Sequence, residues 1–163
     1  MVSLVRADLD LMDAALAGDD ALAGALGHYV VPGWVTFNEA LGPARDAIAA
    51  DPGRLAWGTR FFVAGDPPEL VGWGGFKGPP RDGVVELGYE IAASRRGRGL
   101  ATAATRAMLA EAFADNRVTL VIAHTLPERN ASNRVLEKAG FAYDGEAREG
   151  GEVVWRYSAP RLR

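Results

Sequence analysis

The chain contains no cysteine. That absence excludes a disulfide framework, a thiolate zinc site and a cysteine nucleophile together, and it fits a reducing, cytoplasmic setting. Histidine is nearly absent too. His28 and His124 are too few for a histidine-rich metal centre, and His124 is expected to be a structural residue at a strand end. Lysine occurs only as Lys77 and Lys138, so the rest of the 18 basic residues are arginine, the pattern of a GC-rich coding bias. No apolar run approaches the ~18 residues of a membrane span. Near the start, Arg6 is followed by Asp8, Asp10 and Asp13 with no apolar core, so no secretory signal is expected. The formal net charge of −3 speaks against general affinity for nucleic acid or an anionic membrane.

What is present describes an ordinary globular chain: 163 residues, 48% apolar, 24% charged and 9% aromatic, expected to form one domain over 1–163. Leu9, Met12 and Leu16, then Leu22 and Leu26, fall at helical spacing with a break at Gly18-Asp19-Asp20. Residues 28–37 read as an aromatic loop, and 39–50 as a helix closed by Asp51-Pro52-Gly53. Three strands are expected at 60–64, 70–76 and 84–92, joined by Gly/Pro/Asp turns as an antiparallel meander. An alanine-rich helix over 99–115 follows. Val118–Ala123 is a short continuous apolar run, expected to be a strand buried on both faces. A helix over 130–139 ends at Gly140, and strands at 141–143 and 153–157 close the chain. This order predicts an α+β fold with a mixed, mainly antiparallel sheet flanked by helices.

Chemistry concentrates in Glu86–Ala101. A strand runs into Ser94-Arg95-Arg96-Gly97-Arg98-Gly99, and a helix begins at once with Leu100-Ala101. Two glycines one residue apart allow a sharp turn that brings successive N–H groups toward one point, at a helix N-terminus where the dipole favours an anion. Three arginines add donors suited to phosphate oxygens. The pattern predicts a pyrophosphate site, with a plain glycine-rich turn and solvated arginines as the alternative. It is not a dinucleotide fingerprint: Thr102 stands where the third Gly or Ala would be, and the following strand ends in His124-Thr125 rather than an acid. No Gly-Lys-Ser or Gly-Lys-Thr occurs.

Together with His124-Thr-Leu-Pro-Glu-Arg-Asn130-Ala-Ser132-Asn-Arg-Val-Leu-Glu-Lys-Ala-Gly140-Phe141, the Arg-Gly-Arg-Gly-Leu-Ala loop resembles the GNAT superfamily of acyl-CoA-dependent N-acetyltransferases, from about residue 59 onward. Within it the chain looks like the branch that includes ribosomal-protein N-terminal acetyltransferases. The resemblance implies acetyl-CoA as acyl donor, no metal, and a GNAT-like fold with a splayed strand pair. The strand through Ile91, Ala92 and Ala93 would bond the pantetheine arm as an added strand. Arg95 and the amides of Arg96, Gly97, Arg98, Gly99, Leu100 and Ala101 would hold the pyrophosphate, and Asn130 would face the pantetheine. The first motif position, usually Gln or Arg, is Ser94. Glu86 matches a glutamate that many members use as general base through water. The usual tyrosine acid is replaced by Leu136, and Ser132 matches a serine implicated in the ribosomal-protein branch, with Tyr143 or solvent as substitutes.

Acetyl transfer to an amine requires a proton acceptor, donors for an oxyanion and a proton for the departing thiolate. Glu86, Gly88 and Glu90 share one strand face, which makes Glu90 a second base candidate beside the acceptor. Tyr29, Trp34, Phe37 and Trp73 are expected to line the acceptor pocket, with core packing as the alternative for most of these aromatics, and Lys77 to be a surface residue. The implied acceptor is an amine-bearing small molecule or a peptide N-terminus, with homodimers common in the family. A non-catalytic acyl-CoA sensor is the alternative.

Overall fold

Helix starts follow local chemistry. Asp8 caps α1 (Leu9–Ala17) by accepting from the Leu11 amide, and Gly18 separates α1 from α2 (Asp19–Leu26). These helices follow a strand the sequence reading did not anticipate, β1 (Val2–Arg6), which forms because the strand Thr59–Ala64 offers it a pairing edge. The computed structural model describes residues 1–163. Its remaining elements are β2 (Tyr29–Val30), α3 (Leu41–Ala50), β3 (Thr59–Ala64), β4 (Glu69–Phe76), β5 (Val84–Ile91), α4 (Leu100–Ala114), β6 (Leu120–Thr125), α5 (Ala131–Lys138), β7 (Ala142–Glu149) and β8 (Glu152–Pro160). Short 3-10 turns at Asn38–Ala40, Pro52–Trp57 and Ala93–Arg95 connect them.

The strands form one sheet in the order β1-β3-β4-β5-β6-β8-β7, with β2 beside β4. Pairing is antiparallel except at β5–β6 and β2–β4, so the sheet is mixed and mainly antiparallel. One face packs under α4 and α5 through Leu87, Ile91, Ala104, Met108, Val121 and Leu136. The alanines of α4 permit close approach: Ala104 and Ala112 are fully buried. The other face carries α1–α3 through Met12, Leu22, Trp34, Leu41, Phe61 and Leu70.

Two expectations about strands are corrected. β6 alternates rather than being buried on both faces: Val121, Ala123 and Thr125 are buried while Leu120, Ile122 and His124 are half-buried, because α1–α3 do not extend over this part of the sheet. β7 is longer than the apolar residues 141–143 suggest, since an outer strand needs pairing on one edge only and tolerates polar side chains. Arg60 on β3 is wholly buried. Its guanidinium meets Glu111 at 3.0 Å and four backbone carbonyls, of Leu55, Ala56, Gly58 and Thr59, and burial lowers its pKa. It ties the 52–57 turn to α4.

Candidate active site

The parallel pairing of β5 with β6 covers only Val84–Glu86 against Leu120–Ile122, although β5 runs on to Ile91 and β6 to Thr125. The two strands therefore fork after Glu86. Beyond the fork, β5 keeps its antiparallel partner β4 on one edge and leaves its other edge without a strand partner. A free strand edge recognises an extended ligand through backbone bonds.

A cavity of about 600 Å³ lies between the fork, the 95–102 loop and α5. Gly97 and Gly99 have φ of +76° and +75°, so both adopt the left-handed conformation the loop reading required. No side chain caps α4, whose first amides also lack intrahelical carbonyl partners. An ideal Cβ at either glycine would meet no protein atom within 4 Å, so the space in front of the loop is open. An uncapped helix start, two left-handed glycines and a basic rim fit an anionic group such as a pyrophosphate.

Of the expected donor-side residues, Ile91, Arg95, Arg96, Gly97, Gly99, Leu100, Ala101 and Asn130 line this cavity, as does Ser132. Ala92 is buried in the core, and Ala93 and Arg98 are exposed outside the lining. Two of the loop arginines are already engaged: Arg95 pairs with Glu69 at 2.7 Å and Arg96 donates to the Ile91 carbonyl at 3.1 Å. Arg134 and Lys138 of α5 also line the cavity, a contribution the loop motif did not reveal. Asn130 caps α5 in a reciprocal box with Asn133.

A second cavity of about 390 Å³ opens on the opposite side of β5. It includes Trp73 and Glu90 as expected, and it shares Tyr89 and Glu90 with the first, so the two cavities meet at this dipeptide. Glu90 Oε1 accepts from Trp73 Nε1 at 2.6 Å and from the Thr36 amide at 2.8 Å, which fastens the 31–38 loop to the sheet. Trp34 is not a pocket residue. It is 1% exposed, donates Nε1 to Asp19 and packs edge-on against Phe61 and Trp73, because the loop beside Pro32-Gly33 turns it into the core. Tyr29 is exposed on β2 and lies outside both linings.

Glu86 sits where the fork begins and belongs to neither lining. Its Oε2 receives Lys77 Nζ at 2.6 Å and faces His124 Nδ1 at 3.1 Å, while Glu149 holds Lys77 from β7 at 3.0 Å. Burial pulls the Lys77 pKa down, yet its bonds to Glu86 and Glu149 together outweigh that and raise it. Lys77 and His124 are thus not a lone surface residue and a lone structural one. The carboxylate opposite Nδ1 can accept a proton-bearing nitrogen there, while Nε2 is buried without a partner.

Tyr89 was missed by motif reading, because a strand tyrosine looks like core. Its hydroxyl donates to the Ser132 carbonyl at 3.3 Å, and burial pushes its pKa up to about 12. It therefore stays protonated at neutral pH. Leu136 is buried in the core, and Tyr143 packs edge-on against Trp155 and Tyr157, outside both cavities.

Comparison with known proteins agrees with the fork and the loop. Residues 2–142 match the acetyltransferase (GNAT) domain family model. The uncharacterized N-acetyltransferase YjdG of Bacillus subtilis is 28% identical over 145 residues, covering 87% of this chain and 86% of that protein. Among solved structures, the Microcin C7 self-immunity acetyltransferase MccE, in complex with acetyl-CoA and AMP, superposes with a TM-score of 0.70 at 15% identity over 98% of this chain and 92% of the other. Aminoglycoside acetyltransferase AAC(6')-Ib, in complex with coenzyme A and kanamycin, gives 0.67 at 21% over 99% and 95%. These two share the fold. The chain belongs to the GNAT acetyltransferase family.

Proposed function

We propose that this protein transfers the acetyl group of acetyl-CoA directly to a primary amine, with the donor in the first cavity and the acceptor in the second. The observation that carries this reading is the fork after Glu86, which leaves an open edge of β5 beside the cavity of the 95–102 loop, with Glu90 shared by the two cavities. The donor supplies an activated thioester carbonyl for attack by the neutral amine. The amides of residues 96–101 bind the pyrophosphate, helped by Arg134 and Lys138. The open edge of β5 through Ile91 aligns the pantetheine arm, and Asn130 and Ser132 border it.

Glu86 takes the amine proton through a chain of waters, with His124 across the fork as its partner and Lys77 holding its carboxylate in place. Glu90 recognises the acceptor amine and fixes the wall of its cavity. Tyr89, protonated and held by the Ser132 carbonyl, supplies the proton to the departing thiolate in place of the tyrosine that Leu136 replaces. Structures of related fold bound to kanamycin support an amine-bearing acceptor. A peptide N-terminus, the acceptor of the ribosomal-protein branch, is a second reading, favoured by the position of Ser132 on the donor cavity.

The test is thiol release from acetyl-CoA in the presence of amines. Glu86→Gln lowers turnover by ~10²–10⁴-fold while acetyl-CoA still raises the thermal midpoint. A near-normal rate would transfer the base role to Glu90 or solvent.

A further inference from the structure

The face of the β4–β5 ladder under the second cavity carries three successive cross-strand pairs. Trp73 lies opposite Glu90, Gly75 opposite Gly88, and Lys77 opposite Glu86, the last joined by the Lys77 amide to the Glu86 carbonyl at 2.9 Å. Successive pairs are about 7 Å apart. Only the central pair has no side chains, so it forms the floor of a well between an aromatic–acid pair and an ion pair.

The three glycines that line this cavity are glycines for different reasons. A Cβ on Gly74 would run into the Gly88 carbonyl, and one on Gly75 into the Gly58 carbonyl. Both are demanded by close backbone approach. Gly88 is not: it lies outside the left-handed region, and a Cβ there would meet nothing within 4 Å. Glycine in a strand interior weakens the strand, and what its missing side chain leaves behind is cavity.

The charge around the well is equally specific. Its charged lining groups are Glu90 and Lys77, at opposite ends. Both protein bonds to the Glu90 carboxylate fall on Oε1, which leaves Oε2 for one ammonium. Glu86 and Glu149, which hold the Lys77 ammonium at the other end, lie outside the lining, so the well offers a second positive charge on the acceptor no acidic partner. The walls add Trp73, Phe76 and Phe37, the last 62% exposed at the rim, which suit a flat apolar body.

We propose that the Gly75–Gly88 well selects a monocationic primary amine carried on a flat apolar group, and that the bare Gly88 position sets the size it admits. This rests on the acetyltransferase reading and narrows its acceptor.

The experiment measures kcat/KM for 2-phenylethylamine, ethylamine and kanamycin with acetyl-CoA, in the wild type, Gly88→Ala and Gly88→Val, beside the rise in thermal midpoint caused by acetyl-CoA. The wild type is expected to prefer 2-phenylethylamine over kanamycin by about tenfold or more. Gly88→Val should lower the 2-phenylethylamine to ethylamine ratio by about tenfold, and Gly88→Ala by less. The acetyl-CoA shift should persist in both variants, and Gly88→Ala carries the test if the valine variant does not fold. A preference for kanamycin, an unchanged ratio, or a donor shift with no turnover of 2-phenylethylamine would overturn the proposal while leaving the donor site standing. Absence of any acetyl-CoA shift in the wild type would overturn the acetyltransferase reading instead.

Discussion

The donor and acceptor halves of the site are built in different ways. The donor half is local: strand end, turn and helix start lie within the contiguous run Tyr89–Thr102, with α5 closing the far wall. The acceptor half is assembled across strands. Phe37 comes from a loop, Thr59 from β3, Trp73 to Phe76 from β4, and Gly88 to Glu90 from β5. The only residues common to both are Tyr89 and Glu90. A half made of consecutive residues depends on backbone conformation at a few glycines. A half made of strand register depends on which side chains are opposite one another, so one residue can change acceptor choice without disturbing the donor.

That contrast can be broken from either side. The largest effect in the donor half belongs to Gly99→Val. A β-branched residue is strained at φ +75°, and its side chain enters the open cradle. Acetyl-CoA affinity should fall by about 10²-fold or more, ~2.7 kcal/mol, as read by calorimetry, with the ligand-free thermal midpoint displaced by only a few degrees. Unchanged affinity would reduce the loop to a turn.

At the junction, Tyr89→Phe removes one hydroxyl and little else. Turnover should drop by roughly 10–10²-fold at unchanged acetyl-CoA affinity. A normal rate would return the proton-donor role to Ser132 or to water.

The smallest effect lies outside both halves. Asp115 at the end of α4 accepts from the Arg117 side chain at 2.7 Å and from the Arg117 amide at 2.9 Å, and these bonds lower its pKa to about 2 from 3.8. A depressed carboxylate pKa stabilises the fold above the unfolded value, and that contribution is lost as pH falls toward the folded one. Asp115→Asn should therefore be slightly less stable than the wild type near neutrality, with the gap closing between pH 3.8 and about 2. Denaturant titrations at several pH values would show it, and a gap independent of pH would contradict the assignment. Neither half of the site should respond.

The same division explains what was legible in the sequence. Gly97, Gly99 and the following helix were readable because their chemistry is written in adjacent residues. The face shared by Glu86, Gly88 and Glu90 was readable because strand periodicity is local. What was not readable depends on register. His124 meets Glu86 because parallel pairing sets Glu86 beside Ile122 and His124 follows two residues on. Lys77 meets Glu86 because β4 and β5 pair one step earlier, at Phe76 and Leu87. Trp34 was misplaced for the converse reason: its loop was read as lining the acceptor pocket, but Asp19 and Phe61 draw the indole inward. β1 escaped notice because five residues at a chain start show little periodicity, and it is defined by pairing with β3.

The central claim is that acetyl-CoA is held by the local half alone. Calorimetric titration of acetyl-CoA into the wild type, Gly99→Val and Gly88→Val tests it most directly. The account predicts clear binding by the wild type, near-wild-type affinity for Gly88→Val and loss of binding for Gly99→Val. Equal binding by the wild type and Gly99→Val, or loss of binding in Gly88→Val with the fold intact, would contradict it.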